Sequence, residues 1–156
     1  MQMKFLILVL LIIIDFISKK IIFNYIDLYN KISVFNFFDI THIRNYGISF
    51  GLFADILPLW VILFLGITMT VFLFFWMLKS SNNIEKWGIL LILTGAISNI
   101  SDRAMNNYVM DFISFHYKQY YWPAFNFADI YISLGVMLII IQSLLVVKTK
   151  FKEKDV

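Results

Sequence analysis

The chain has 156 residues, of which 61% are hydrophobic and 15% charged, and its mean hydropathy is +0.81. Soluble domains carry roughly 25% charged and about 45–50% apolar residues, so this composition excludes a small water-soluble globule. It points instead to a polytopic membrane protein of one domain. With no cysteine, disulfides, thiolate metal sites and cysteine nucleophiles are excluded. The two histidines, His42 and His116, are far apart and read as loop or interface residues rather than metal ligands.

A spanning helix needs about 20 apolar residues, because the hydrocarbon layer is about 30 Å thick and a helix rises about 1.5 Å per residue. The first such segment covers about residues 5–23 and is interrupted by Asp15, Ser18, Lys19 and Lys20. Its basic start at Lys4 imitates a signal peptide. No small-x-small cleavage site follows, however, and Asp15 sits within the run, so an uncleaved first helix is expected. Residues 24–56 follow, including KISVFNFFDITHIRNYGISFGLF. This stretch is rich in β-branched and aromatic residues, with Gly47 and Gly51 as breakers, and predicts short strands lying on the membrane surface. The second helix, about 57–78, carries no charge. The third, about 87–104, has a short apolar stretch that ends in SNISDR. Residues 105–128 read as a loop whose YYWP cluster suits the headgroup level. The fourth helix covers about 129–147. The expected fold is therefore an all-α membrane protein: one integral domain over 1–156, with four transmembrane helices and a small extracytoplasmic β-rich segment.

Four spans put both termini and the 79–86 loop on one side. That side holds Lys4, Lys79, Lys86, Lys148, Lys150, Lys152 and Lys154, seven of the 13 basic residues. The positive-inside bias makes it the cytoplasm. The net charge of +3 reflects this tail and loop bias, faces anionic lipid headgroups and needs no nucleic-acid partner.

Polar groups then converge at one depth near the outer surface. Asp15 and Lys19 are four apart and share a helix face. Asn99, Asp102 and Arg103 crowd the outer end of the third helix, and Asp129 opens the fourth. Ionisable residues at membrane depth are functional candidates. Each also has a plainer role: Asp15–Lys19 and Asp102–Arg103 as ion pairs tying helix ends, Asp129 as a helix N-cap, and Asp111 as a solvated loop carboxylate.

Four blocks carry a resemblance to a known family. IDFISK (14–19) resembles the L-D-x-x-S-K of bacterial lipoprotein signal peptidases, the type II signal peptidases. RNYGISFGLF (44–53) resembles their R-N-x-G-x-x-F segment. GAISNISDR (95–103) with VMDFI (109–113) resembles G-A-x-G-N-x-x-D-R and V-V-D-F-I, and WPAFNFADIYISLG (122–135) resembles W-P-x-F-N-x-A-D-x-x-I-x-x-G. Ser98 stands where the family has glycine, and Ile48–Ser49 where it has small residues.

The resemblance implies an aspartic endopeptidase of the bacterial inner membrane, with Asp111 and Asp129 as catalytic residues. The substrates would be prolipoproteins already diacylated on the lipobox cysteine, cut just before that cysteine. Asn45, Gly47, Asn99, Arg103, Asn126 and Ala128 would form the pocket, with Asp15 and Lys19 in support. No cofactor or metal is implied, and the partners expected are the substrates and membrane lipids around a monomer. Two other readings are open. Ser114 and Lys118 would be a Ser–Lys pair if their stretch were helical. A small transporter would use the buried charges as an ion relay, although a relay needs carboxylates spread through the bilayer depth.

Overall fold

A computed structural model describes residues 2–48, 52, 54 and 56–154. Ser49 and Gly51, and with them part of the RNYGISFGLF block, lie outside the described residues, as does Asp55 before the second helix. Four helices, α1 (Gln2–Tyr25), α2 (Leu59–Lys79), α3 (Asn83–Asn106) and α4 (Phe127–Lys154), accompany an antiparallel sheet. Its strands, β1 (Lys31–Phe35), β2 (Phe38–Asn45), β3 (Val109–Tyr117) and β4 (Tyr120–Tyr121), lie in the order β1-β2-β3-β4. The protein is thus mostly helical with a small sheet, and not all-α.

Caps explain why α3 exceeds its apolar stretch. The Asn82 side chain accepts hydrogen bonds from the backbone N–H groups of Ile84 and Glu85 at 2.8 and 3.1 Å, and so starts the helix before Trp87. At the other end Asn107 adopts a left-handed φ of 68°, and its N–H closes on the Arg103 carbonyl. The polar SNISDR stretch is consequently helical, and Asn99, Asp102 and Arg103 all face inward.

β1 and β2 occupy the stretch expected to form strands. β3 corrects the expectation of an aromatic loop over 105–128. Val109–Ser114 are buried on both faces, so this central strand shows no alternation of apolar and polar residues. Between β1 and β2, the buried Asp39 accepts from Lys31 and from Ser33, each at 2.7 Å, and these bonds hold its carboxyl below the usual carboxylate range. His116 reaches the same carboxylate at 3.5 Å, whereas His42 bonds the Ile26 carbonyl at 2.7 Å, so both histidines hold structure together.

The helices carry large apolar side chains on their exposed faces. α2 buries only Ile62 and Leu73, while Trp60, Phe64, Phe72 and Phe75 are exposed. Two helical stretches, Leu59–Lys79 and Phe127–Val146, are long and apolar enough to cross a membrane among the described residues. α1 and α3, with 24 residues each, carry ionic and polar groups and bury them: Asp15, Lys19, Ser98, Asn99, Asp102 and Arg103.

α3 and α4 approach closely through glycines. A Cβ on Gly95 would lie 2.2 Å from the Ala128 carbonyl oxygen, and one on Gly135 would lie 2.4 Å from that of Gly88. Small residues let helix backbones meet where lipid offers no hydrophobic drive. At the sheet end, Ile22 and Ile26 of α1 join Met110, Phe112 and Ile113 of β3 in one apolar cluster. This cluster docks the sheet on the C-terminal end of α1.

Asp15 fastens three helices at one point. Its carboxylate is fully buried. Oδ2 accepts from Lys19 Nζ at 2.6 Å and from Ser98 Oγ at 2.5 Å, and Oδ1 accepts from the Ala128 N–H at 3.1 Å. Lys19 also pairs with Asp102 at 2.6 Å. The expected Asp15–Lys19 pair is present, but Asp102 takes Lys19 and not its neighbour Arg103 as its partner. Adjacent residues on a helix point about 100° apart, so the two side chains reach different neighbours. Breaking a buried ion pair costs about 3–5 kcal/mol, against about 1.5–3 kcal/mol for one hydrogen bond to a charged group. Thermal unfolding in detergent should therefore show a large fall in midpoint for Asp15→Asn and a smaller fall for Ser98→Ala. Equal midpoints for the two variants and the parent would contradict this role for Asp15.

Candidate active site

Asp111 comes from β3 and Asp129 from the first turn of α4, and one residue joins them. Asn126 precedes α4. Its Oδ1 accepts from the Asp129 N–H at 3.1 Å, while Asp129 Oδ2 accepts from the Asn126 N–H at 3.1 Å. This reciprocal pair is a capping box, with Asn126 as the cap and Asp129 three residues on. Asp129 is therefore not itself the N-cap. The remaining Asn126 group, Nδ2, donates to Asp111 Oδ1 at 2.7 Å. The side chain that starts the helix thus also sets the second carboxylate beside the first.

Each carboxylate has one further amide donor. Asn45 Nδ2, at the end of β2, donates to Asp111 Oδ2 at 2.9 Å, and its Oδ1 accepts from the Gly47 N–H at 2.9 Å. Asn99 Nδ2, from α3, donates to Asp129 Oδ1 at 2.9 Å. Lys19 Nζ lies 3.4 Å from Asn99 Oδ1, which turns the amide so that its NH2 faces Asp129. The ammonium of the Asp15 cluster is thus linked to the dyad through one amide.

Arg103 acts from the other side. Its guanidinium donates to the Gly47 carbonyl at 2.5 Å and to the Asn99 carbonyl at 3.3 Å, and it is close enough to Asp111 and Asp129 to feel both charges. It pins the turn after β2 against α3 and adds positive potential to the site. Ala128 contributes backbone: its N–H reaches Asp15 and its carbonyl meets Gly95.

Burial dominates the electrostatics. Asp111 is 3% exposed. Loss of water, and next the charge of Asp129, push its carboxyl up to about 7, opposed by the Asn45 and Asn126 donors. The charge of Asp129 thus couples the titration of Asp111 to its own.

All ten expected site residues therefore meet in one region: Asp15, Lys19, Asn45, Gly47, Asn99, Arg103, Asp111, Asn126, Ala128 and Asp129. Ser98 and Asp102 join the cluster through Asp15 and Lys19. Only the departure of Ser98 from a glycine pattern marked it in the sequence. The Ser114–Lys118 alternative is overturned. Ser114 is a buried residue of β3, and Lys118 lies in the exposed turn beyond the strand with a φ of 54°. Four residues of strand separate such positions by about 13 Å.

Known proteins bear on this arrangement. The family model described as Signal peptidase (SPase) II matches residues 7–145. A lipoprotein signal peptidase of Haemophilus influenzae (strain ATCC 51907 / DSM 11121 / KW20 / Rd) is 33% identical over 148 residues, covering 92% of this chain and 86% of that one. One from Wigglesworthia glossinidia brevipalpis is 36% identical over 137 residues, covering 86% and 90%. Two solved bacterial membrane enzymes have the same fold. One gives a TM-score of 0.88 at 29% identity, covering 96% of this chain and 92% of that chain. The other gives 0.82 at 31% identity, covering 92% and 94%. With its polar interior, its paired carboxylates and a family match running from α1 into α4, this chain belongs to the signal peptidase II family.

Proposed function

We propose that this protein is an aspartic endopeptidase that removes signal peptides from diacylated prolipoproteins. The observation that carries this reading is the amide of Asn126 held between Asp111 and Asp129. With one shared proton, the ionised carboxylate takes a proton from water as general base. The protonated one donates to the scissile carbonyl and stabilises its developing negative charge. Asn45, Asn99 and Asn126 donate to the carboxylates and so keep the pair aligned for that exchange.

Membrane placement follows from the same arrangement. Each helix of 24 residues is about 36 Å long, enough to cross, and Asp15, Lys19, Asp102 and Arg103 of α1 and α3 are buried away from the lipid side. In this reading all four helices cross a bacterial inner membrane, both termini are cytoplasmic and the sheet lies outside. All the site carboxylates then lie toward one face, which favours chemistry at the membrane surface over an ion relay. The acyl chains of the substrate stay in lipid, at about 0.8 kcal/mol per buried CH2, while water reaches the peptide bond. Exposed Tyr120, Tyr121 and Trp122 of the sheet lie at the headgroup level beside that path. The protein works as a monomer on lipidated substrates.

Purified protein in detergent should cleave a diacylated precursor and spare the same precursor without its lipid. Asp111→Asn and Asp129→Asn should each lower kcat below detection while leaving the fold intact, and a chelator should leave the parent enzyme unaffected. Substantial cleavage by either variant would remove the dyad.

The pH dependence has a defined sign. A dyad with one proton loses activity as pH rises through the Asp111 value near 7. Asn45→Ala removes a donor that favours the ionised form, so the alkaline limb of kcat/KM should move to higher pH. A shift to lower pH would contradict the assigned role of Asn45.

Topology is checked by single cysteines, against a chain that has none. Cysteine at Ser33 or Gln119 should react with an impermeant thiol reagent in intact cells, and cysteine at Ser81 should not. The opposite pattern would place the dyad on the cytoplasmic side.

A further inference from the structure

A cavity lies beside the site, between the C-terminal ends of α1 and α3 and the start of β3. Its volume is about 190 Å3. The buried Lys19–Asp102 ion pair forms its floor. Phe16, Phe23 and Met105 supply apolar walls, and Lys20 and Tyr108 line the rim. Cavities for a whole small ligand run to about 300–1,000 Å3, so this one admits a headgroup and its first methylenes and not an entire lipid.

The charges lining it are unequal. Asp102 is taken up by Lys19 at 2.6 Å. Lys20 is exposed and pairs with no carboxylate among the described residues; its ammonium lies 5.6 Å from the centre of the Phe23 ring. The Arg44 guanidinium lies 4.6 Å from the centre of the Tyr108 ring and adds a second positive charge near the rim. Lys20 is five residues before the end of α1, about 7.5 Å down the helix axis. In a membrane-spanning α1, a lysine so near the helix end reaches the headgroup layer with its long side chain. Phe16, Lys20 and Phe23 follow one another along a single helix face, so apolar contact continues from the cavity along the lipid side. An unpaired lysine beside apolar side chains attracts an anionic headgroup while the chains keep to the apolar face.

We propose that this cavity is a binding site for an anionic glycerophospholipid, with Lys20 on the phosphate and the acyl chains running over Phe16 and Phe23. The lipid would fasten α1 to α3 directly behind Lys19 and Asp102. The cavity shares Lys19 with the support of the dyad, but neither aspartate lines it, so lipid binding does not depend on the dyad.

Native mass spectrometry of the full-length protein, with equal amounts of phosphatidylglycerol and phosphatidylcholine of matched chains, tests this. The parent protein should retain phosphatidylglycerol in preference. Lys20→Ala should weaken that retention about fivefold, the effect of one lysine at an anionic surface, and Met105→Trp, which fills the cavity, should weaken it with Lys20 still present. Lys118→Ala removes an exposed lysine in the turn between β3 and β4 and should change nothing. Equal retention of the two lipids by the parent, or undiminished phosphatidylglycerol retention in both Lys20→Ala and Met105→Trp, would overturn the proposal.

Discussion

A carboxylate with no access to water must find all of its hydrogen bonds inside the protein, and Asp15 is such a group. Desolvating an ion costs several kcal/mol, recovered only when partners are placed well. Here the partners come from three helices: Lys19 from α1 itself, Ser98 from α3, and the Ala128 N–H from the first turn of α4. Few packings of three helices place all of these donors together. The cost of stranding Asp15 therefore selects one arrangement of the outer helix ends. An orphan N–H of α4 is satisfied in the same act, and a negative charge sits favourably at that helix start.

The dyad depends on that arrangement. Once Ala128 is held by Asp15, the preceding residues have a set position, and Asn126 caps the helix one turn from Asp129. The cap leaves the Asn126 NH2 free to reach across to β3, which is where Asp111 arrives. β3 in turn is seated by the apolar cluster of Ile22, Ile26, Phe112 and Ile113. A helix start, a strand and an apolar contact thus converge on one pair of carboxylates. Elevation of Asp111 toward neutrality follows from the same burial, since water is excluded on the strand side.

The interior also shows how close approach and polarity are divided between α3 and α4. Along the helix pair, glycines at 88, 95 and 135 bring the backbones together. Toward the outer end, one turn beyond Gly95, Ser98 and Asn99 take over and the contact becomes polar. A glycine at 98 would remove one of the donors to Asp15, so the serine found here strengthens that cluster, while its neighbour Asn99 donates to Asp129. The hydrogen-bonded side chains are thereby gathered toward one end of the helices.

Local and periodic information is what the sequence by itself determined. The apolar runs located the helices, because each run's length is set by the chain's own rise per residue. The four-residue spacing located the Asp15–Lys19 pair, because one helical turn brings such residues together. Motif resemblance, rather than spacing, singled out Asp111 and Asp129, since neither has a charged neighbour in the chain to betray it. Helix limits were less legible: SNISDR reads as polar and terminal, yet it is helical because its polar groups find partners on other elements. β3 was illegible for a related reason, since a strand covered on both faces carries no alternation. Only the tertiary structure decided that Asp102 pairs with Lys19 rather than Arg103, that Arg103 reaches Gly47, and that Asn126 serves both aspartates. Asn45 and Asp111 are 66 positions apart, and Asp15 and Ser98 are 83 apart. Contacts across such distances form only after burial has excluded water, and burial belongs to the assembled fold and to no single segment.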